Sequence, residues 1–289
     1  MDRITSDHIQ TWLVYLKSNF SKYTRDTYHA ALRDYMWWCR RKYKKVVFPD
    51  WKMIQLWLDS LAERGKSEMT RHTYYRALKN FLKFHDMDDV VSEFEKKGAV
   101  PRFRITRTEV LSRSQVEELI RRADSLKLKL IIRLMFILGL RVSELCSLKE
   151  KYYDPEKKTL KVVSKKKRGG ITYHTYQLDD ETAEMLEAWL KKKPKSEWLF
   201  PGRDPNYPIA PRTVREKLYR LGIIVLGRKV YPHMIRHSIG TLLAKEGVPA
   251  QFIAIHLRDT IRSTERYIHL SPEEVSRMIL RVLFKRKEE

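Results

Sequence analysis

Y-P-H-M-I-R-H-S-I-G-T-L-L-A-K-E-G-V-P, residues 231–249, is followed by a short apolar run and then by H-L-R-D-T-I-R-S-T-E-R-Y, residues 256–267. Pro232 suits the first turn of a helix, and Gly247 followed by Pro249 ends one, so the pattern predicts a helix over about 233–246. His233 and Arg236, three apart, share a face near its N-terminus. Unpaired N–H groups and the positive end of the dipole favour an anion there, so the pair suits a phosphate. In the second segment Tyr267 stands among charged residues instead of inside an apolar stripe, and a phenol so placed can act as a nucleophile. On residue type alone a His–Arg pair is more often structural, and a Tyr near a helix end more often packs with a wet hydroxyl. Partners elsewhere in the chain decide between these readings.

Those partners lie upstream. L-S-R-S-Q-V-E-E-L-I opens a helix with Ser112 as N-cap and Gln115 as its capping-box partner, and a buried helix follows over about 126–138. Gly139 ends it, and L-R-V-S-E-L starts another with Arg141 at its entrance. An Arg in that setting is at least half buried and needs an anion, either a bound one or Glu144 on the next turn. From Thr159 the period changes to two: T-L-K-V-V-S, a K-K-K-R-G-G turn, then I-T-Y-H-T-Y-Q-L, a β-hairpin with a strongly basic tip. Helices resume after D-D-E-T at 179–182, pause at W-L-F-P-G and return over about 211–221. Downstream of Tyr267, Ser271, Pro272 and Glu274 mark the start of a last amphipathic helix, 272–285, which can pack on its own domain or dock on a neighbouring subunit.

The first hundred residues have a different pattern. Apolar residues at helical spacing predict helices over 6–19, 24–43, 50–64 and 67–84, four amphipathic helices in a small bundle. Their outer faces are rich in Lys and Arg, with R-R-K-Y-K-K closing the second. This makes either a solvated face or a DNA-facing one. Residues 96–108, K-K-G-A-V-P-R-F-R-I-T-R-T, lack periodicity and read as a basic linker between a helical domain, 1–95, and a second domain, 109–289.

Composition narrows the partner. The 59 Lys and Arg against 36 Asp and Glu give a formal charge of +23 over 289 residues. Such self-repulsion is relieved by a polyanion, with nucleic acid favoured over a membrane because the charge is not gathered beside one apolar helix. Cys39 and Cys146 are far apart and form no metal-ligand spacing. The N-terminus lacks a signal-peptide core and no apolar run is long enough to span a bilayer, so a cytoplasmic protein is expected. Three Asn and five Gln beside 33% charged residues are the mix that hot environments select, pointing to a thermophile.

Taken in order, G-L-R-V-S-E-L at 139–145, the basic hairpin, P-H-M-I-R-H-S at 232–238 and S-T-E-R-Y-I-H at 263–269 resemble the tyrosine recombinase (phage integrase) family, nearest to its Xer-like and mobile-element integrase branches. The resemblance implies a mainly α fold with a small β-sheet in the catalytic domain. The whole would be a two-domain, C-shaped clamp on double-stranded DNA, assembled as a tetramer with the C-terminal helix docking in trans. It implies that Arg141 and Arg236 hold the scissile phosphate, that His233 assists, and that Tyr267 attacks to form a 3′-phosphotyrosyl intermediate. The resemblance further implies that Lys165, with Lys166 and Lys167 as alternatives, protonates the leaving 5′-oxygen. Arg258 falls nine residues before Tyr267, where most members carry His or Trp; an Arg there can still donate to a phosphate, and His256 is the nearby substitute.

A free phenol titrates near ~10, so neighbouring cations are needed to favour the phenolate. No carboxylate cluster suggests a magnesium site, and no cofactor is expected: the chemistry would be independent of metal and ATP. The biological task implied is chromosome-dimer resolution or integration and excision of a mobile element. A type IB topoisomerase-like enzyme using the same residues, and a DNA-binding protein that no longer cuts, are the alternatives.

Overall fold

The computed structural model describes residues 2–101, 109–165 and 170–264. Tyr267, Lys166, Lys167, most of the linker and the expected helix 272–285 lie outside the described residues. The chain divides into two compact units, Met1–Thr106 and Arg107–Glu289.

In the first unit the described helices are α1 (Ser6–Asn19), α2 (Lys22–Tyr43), α3 (Trp51–Glu63), α4 (Glu68–Phe84) and α5 (Asp88–Lys97). Side-chain oxygens of Thr5, Ser21, Asp50 and Ser67 cap the first four, each satisfying an otherwise orphaned N–H. Trp12, Tyr35, Trp57, Phe81 and Phe94 fill the core without exposure. Their polar edges are matched: Trp12 Nε1 donates to Asn80 Oδ1 at 2.9 Å, Trp57 Nε1 to Asp34 Oδ1 at 3.0 Å, and the Tyr35 hydroxyl to the Val47 carbonyl at 2.9 Å. Helix α5 was not expected from the pattern. Met87 at its N-cap offers no capping oxygen, and its apolar stripe is reduced to buried Val91 and Phe94. Acidic Asp88 and Asp89 in the first turn and Lys96 and Lys97 in the last instead suit the helix dipole. Around this core Arg33, Arg40, Arg41, Lys44, Lys45 and Arg76 are exposed.

The second unit starts with α6 (Arg113–Arg122), whose Ser112–Gln115 capping box forms as expected, and α7 (Leu126–Ile137). Helix α7 is its spine. Leu128, Leu130, Ile131, Ile132, Leu134 and Met135 are buried around the helix, and α6, α9 (Asp180–Lys192) and α11 (Pro232–Lys245) pack on it. Short α8 (Val142–Cys146) follows, then β1 (Tyr153–Asp154), β2 (Thr159–Lys165) and β3 (Ile171–Gln177) in one antiparallel sheet of order β1-β2-β3. The register pairs Lys165 with Ile171 at the tip. Helix α10 (Pro211–Leu226) runs a turn beyond the expected end, to Gly227 in the left-handed conformation. After α11 come α12 (Ala250–Leu257) and α13 (Ile261–Thr264). Among the described residues, no helix is long and apolar enough to cross a membrane.

Gly139, between α7 and α8, has φ +54°, and a Cβ built on it would stand 2.3 Å from Leu257 Cδ2. The left-handed turn calls for glycine here, and any Cβ would also have to push the buried Leu257 side chain aside. Gly139→Ala is expected to cost about 2–4 kcal/mol, from the left-handed strain plus overpacking against Leu257, measured by urea unfolding.

Candidate active site

Three arginines from separate segments meet around two carboxylates at the junction of α7–α8, α11 and the end of α12. Arg141 is the N-cap of α8, and Glu144 returns to bond it, the capping arrangement that V-S-E-L spacing allows. The Arg141 N–H donates to Glu144 Oε2 at 2.8 Å and its Nη1 to Oε1 at 3.0 Å. Glu144 is buried and accepts two further bonds, from Ser164 Oγ at 3.0 Å and Arg258 Nη2 at 3.1 Å. Burial pushes this carboxyl up, but the Arg258 charge, the Arg141 N–H and the Arg141 guanidinium outweigh it and hold it below the usual carboxylate range.

Arg236 lies in the first turns of α11, with 3% of its side chain exposed. Its Nη1 donates to the Gly139 carbonyl at 2.5 Å and its Nη2 to the Leu257 carbonyl. These two carbonyls belong to the segments that Gly139 brings together. Nη2 also lies 3.2 Å from Asp259 Oδ2, and Arg141 Nη2 approaches the same oxygen at 3.6 Å. Burial raises the Asp259 carboxyl, and Arg236 and then Arg141 more than reverse it. Arg141, with a third of its side chain exposed, and Arg236 therefore converge on one oxyanion position. His233 is exposed on the same face as Arg236, at the N-terminus of α11, where no side chain caps the helix. Lys165 is the last residue of β2, directly after Ser164, whose bond to Glu144 ties this strand end to the arginines.

Arg258 occupies a different environment from the one expected of a phosphate donor. It is the C-cap of α12 in the left-handed conformation, φ 53°, and only 2% of its side chain is exposed. Its Nη1 donates to the His256 carbonyl at 3.0 Å and to the Tyr176 hydroxyl, and its Nη2 donates to the carbonyls of Leu138 at 3.0 Å and Gly139 at 2.9 Å. Its Nε finds no partner among the described residues. The guanidinium is engaged by the chain's own carbonyls and by Glu144, so it holds the site together from behind. His256 likewise points inward, with Nε2 2.9 Å from the Ile137 carbonyl, and burial lowers its pKa. The residue of H-L-R-D that reaches the arginine pair is Asp259, which sequence reasoning passed over. Ser164 and Tyr176, which anchor both hairpin strands to the site, were also missed; nothing in an alternating strand pattern marks them.

The Glu144–Arg258 pair is nearly inaccessible to solvent, so removing either charge strands the other. Glu144→Gln is expected to destabilise the second unit by about 3–5 kcal/mol, read from urea unfolding. Because the folded carboxyl titrates below its usual range, this stability is present at neutral pH and lost as the pH falls through the folded pKa. The acid slope of unfolding should therefore be shallower in Glu144→Gln than in wild type.

Comparison with known proteins converges on one family. The model of the phage integrase family matches residues 109–274. Tyrosine recombinase XerA of Saccharolobus solfataricus is 28% identical over 270 residues, covering 89% of this chain and 85% of that protein. XerA of Pyrococcus horikoshii is 29% identical over 254 residues, covering 86% and 84%. Among solved structures, the Tn1549 transposon integrase in complex with transposon right end DNA superposes with a TM-score of 0.75 at 17% identity, covering 96% of this chain and 99% of that one. The XerH recombinase bound to palindromic difH substrate gives 0.70 at 19%, covering 89% and 79%. These two likenesses concern the fold. With the family's model spanning the arginine cluster, both hairpin strands and α11, the chain belongs to the phage integrase family, the tyrosine recombinases.

Proposed function

We propose that this site-specific tyrosine recombinase cleaves duplex DNA with Tyr267 as nucleophile and with Arg141, Arg236 and His233 on the scissile phosphate. The observation that supports it is the approach of Arg141 and Arg236, from different helices, to a single carboxylate oxygen. A non-bridging phosphate oxygen in that position would accept from Arg236 and lie within ion-pair range of Arg141, and the same charges favour the added charge of a pentacoordinate transition state. The Tyr267 phenolate attacks phosphorus while the 5′-oxygen leaves. Lys165, with Lys166 and Lys167 as the neighbouring choices, supplies the proton to that oxygen. The 3′-phosphotyrosyl bond conserves the energy of the phosphodiester, so attack by a 5′-hydroxyl rejoins the strand without ATP or a metal ion.

The first unit, with its exposed basic helix faces, binds DNA beside the cleavage point, joined through the basic linker 96–108. The active assembly is a tetramer on two DNA sites, the C-terminal helix 272–285 docking on a neighbour. The task is chromosome-dimer resolution or integration and excision of a mobile element, both of which use this chemistry. Arg258 contributes by fixing the carbonyls and the carboxylate around the arginine pair.

Duplex sites selected from a random library and nicked near the cleavage point should yield an SDS-resistant protein–DNA adduct with wild type and none with Tyr267→Phe at equal occupancy. Arg236→Ala should slow adduct formation by about 100- to 1000-fold, the usual effect of removing one transition-state donor. Tight site binding without an adduct would favour a protein that no longer cuts. Relaxation of supercoils without exchange between two duplexes would favour a topoisomerase.

A further inference from the structure

Asp259 is an acid placed where the reaction calls for a phosphate. Its Oδ2 lies 3.2 Å from Arg236 Nη2 and 3.6 Å from Arg141 Nη2, one oxygen between two guanidinium groups. The backbone holds it there. The Arg258 side chain is fixed from behind at the helix C-cap, the Asp259 N–H donates to the Ala254 carbonyl at 2.9 Å, and the Thr260 N–H donates to Asp259 Oδ1 at 3.2 Å. One carboxylate oxygen therefore belongs to the turn and the other to the arginines.

The two acids of the cluster differ in kind. Glu144, at 7% side-chain exposure, is enclosed by Arg141, Arg258 and Ser164, and cannot leave without stranding buried charge. Asp259, at 19%, sits nearer the surface on a short side chain, and rotation about its Cα–Cβ bond would free the shared position, giving up the bond from the Thr260 N–H but keeping that of its own N–H to the Ala254 carbonyl. Among the described residues, the three guanidinium groups against two carboxylates leave one net positive charge while Asp259 is in place. With its carboxylate withdrawn the excess is two, matching the double negative charge of a pentacoordinate phosphoryl transition state.

We propose that Asp259 is a positioning residue that stands in for the scissile phosphate: it keeps Arg141 and Arg236 at the spacing of one oxyanion before DNA arrives and yields its place to a non-bridging oxygen when DNA binds. This rests on the reading that these two arginines hold the phosphate. Since a phosphodiester must displace the carboxylate, Asp259 weakens anion binding at rest in exchange for arginines already in position.

Inorganic phosphate titrated into the full chain by calorimetry, in sulfate-free buffer, tests the idea without knowledge of the DNA site. Asp259→Asn should bind phosphate at least about ten-fold more tightly than wild type, and adding Arg236→Ala should abolish the gain. Asp259→Glu, which keeps the charge, should bind no more tightly than wild type. Glu216→Gln makes the same change in net charge at an exposed pair with Arg212 and should leave phosphate binding unaltered. A folded Asp259→Asn protein with wild-type or weaker phosphate affinity, or an equal gain in Glu216→Gln, overturns the proposal. Asp259→Ser is subject to the same criteria should Asn not fold. Phosphate capture is read separately from adduct formation. A gain without any Tyr267 adduct would support the stand-in and count against the recombinase roles, whereas an adduct with no gain would sink the stand-in alone.

Discussion

The buried carboxylate of Glu144 is the constraint on which the second unit's site depends. It accepts from the Arg141 backbone and guanidinium, from Ser164 at the end of β2 and from Arg258 at the end of α12. Three segments remote in sequence are thereby tied to one point, and each bond is charge-assisted or made by a group with little access to water. An isolated carboxylate at this depth would be costly. Surrounded by two guanidinium groups and its own helix N-terminus, it instead becomes the anchor that fixes where Arg141 points.

The same arrangement explains why Arg258 tolerates a backbone conformation that L-residues rarely adopt. The left-handed turn ends α12 and brings the Leu257 carbonyl to Arg236 and the Arg258 carbonyl to Arg141, the latter at 3.2 Å. A glycine would make the turn at less backbone cost but would leave the Leu138 and Gly139 carbonyls without this donor and Glu144 without its buried partner. Local strain of about 1–2 kcal/mol is offset by the bonds the guanidinium makes, a local conflict that the surrounding structure resolves.

The sequence carried most of the helices because their apolar spacing and caps are local signals. The Ser112–Gln115 box, Pro232 at the start of α11 and Gly139 at the end of α7 needed no tertiary information. Helix α5 was hidden because two buried residues and a Met cap leave little pattern to read. In the site, Arg141 and Arg236 were legible from their settings, and the pairing of Arg141 with Glu144 followed from helical spacing. The directions taken by the Arg258 and Asp259 side chains were not. The two residues are adjacent and oppositely charged, and only the left-handed turn sends the arginine into the protein and the carboxylate toward Arg141 and Arg236. Counting residues back from Tyr267 cannot reveal a change of direction made by a single φ angle.

A strongly basic chain must still keep its own cations from repelling one another where several of them are buried together. Surface lysines leave that to water and salt, with a Debye length of about 8–10 Å. Arg236 and Arg258, nearly shut off from solvent, cannot. Backbone carbonyls of Leu138, Gly139, His256 and Leu257 take up their donors, while Glu144 and Asp259 supply the counter-charge. Dipoles fixed in this way need little reorganisation when a phosphate arrives, which is the condition under which donors act most strongly on a developing charge. The polar pocket within this otherwise apolar core follows from the charge it holds: guanidinium groups can be buried at a site only if the chain surrounds them with oxygens of its own.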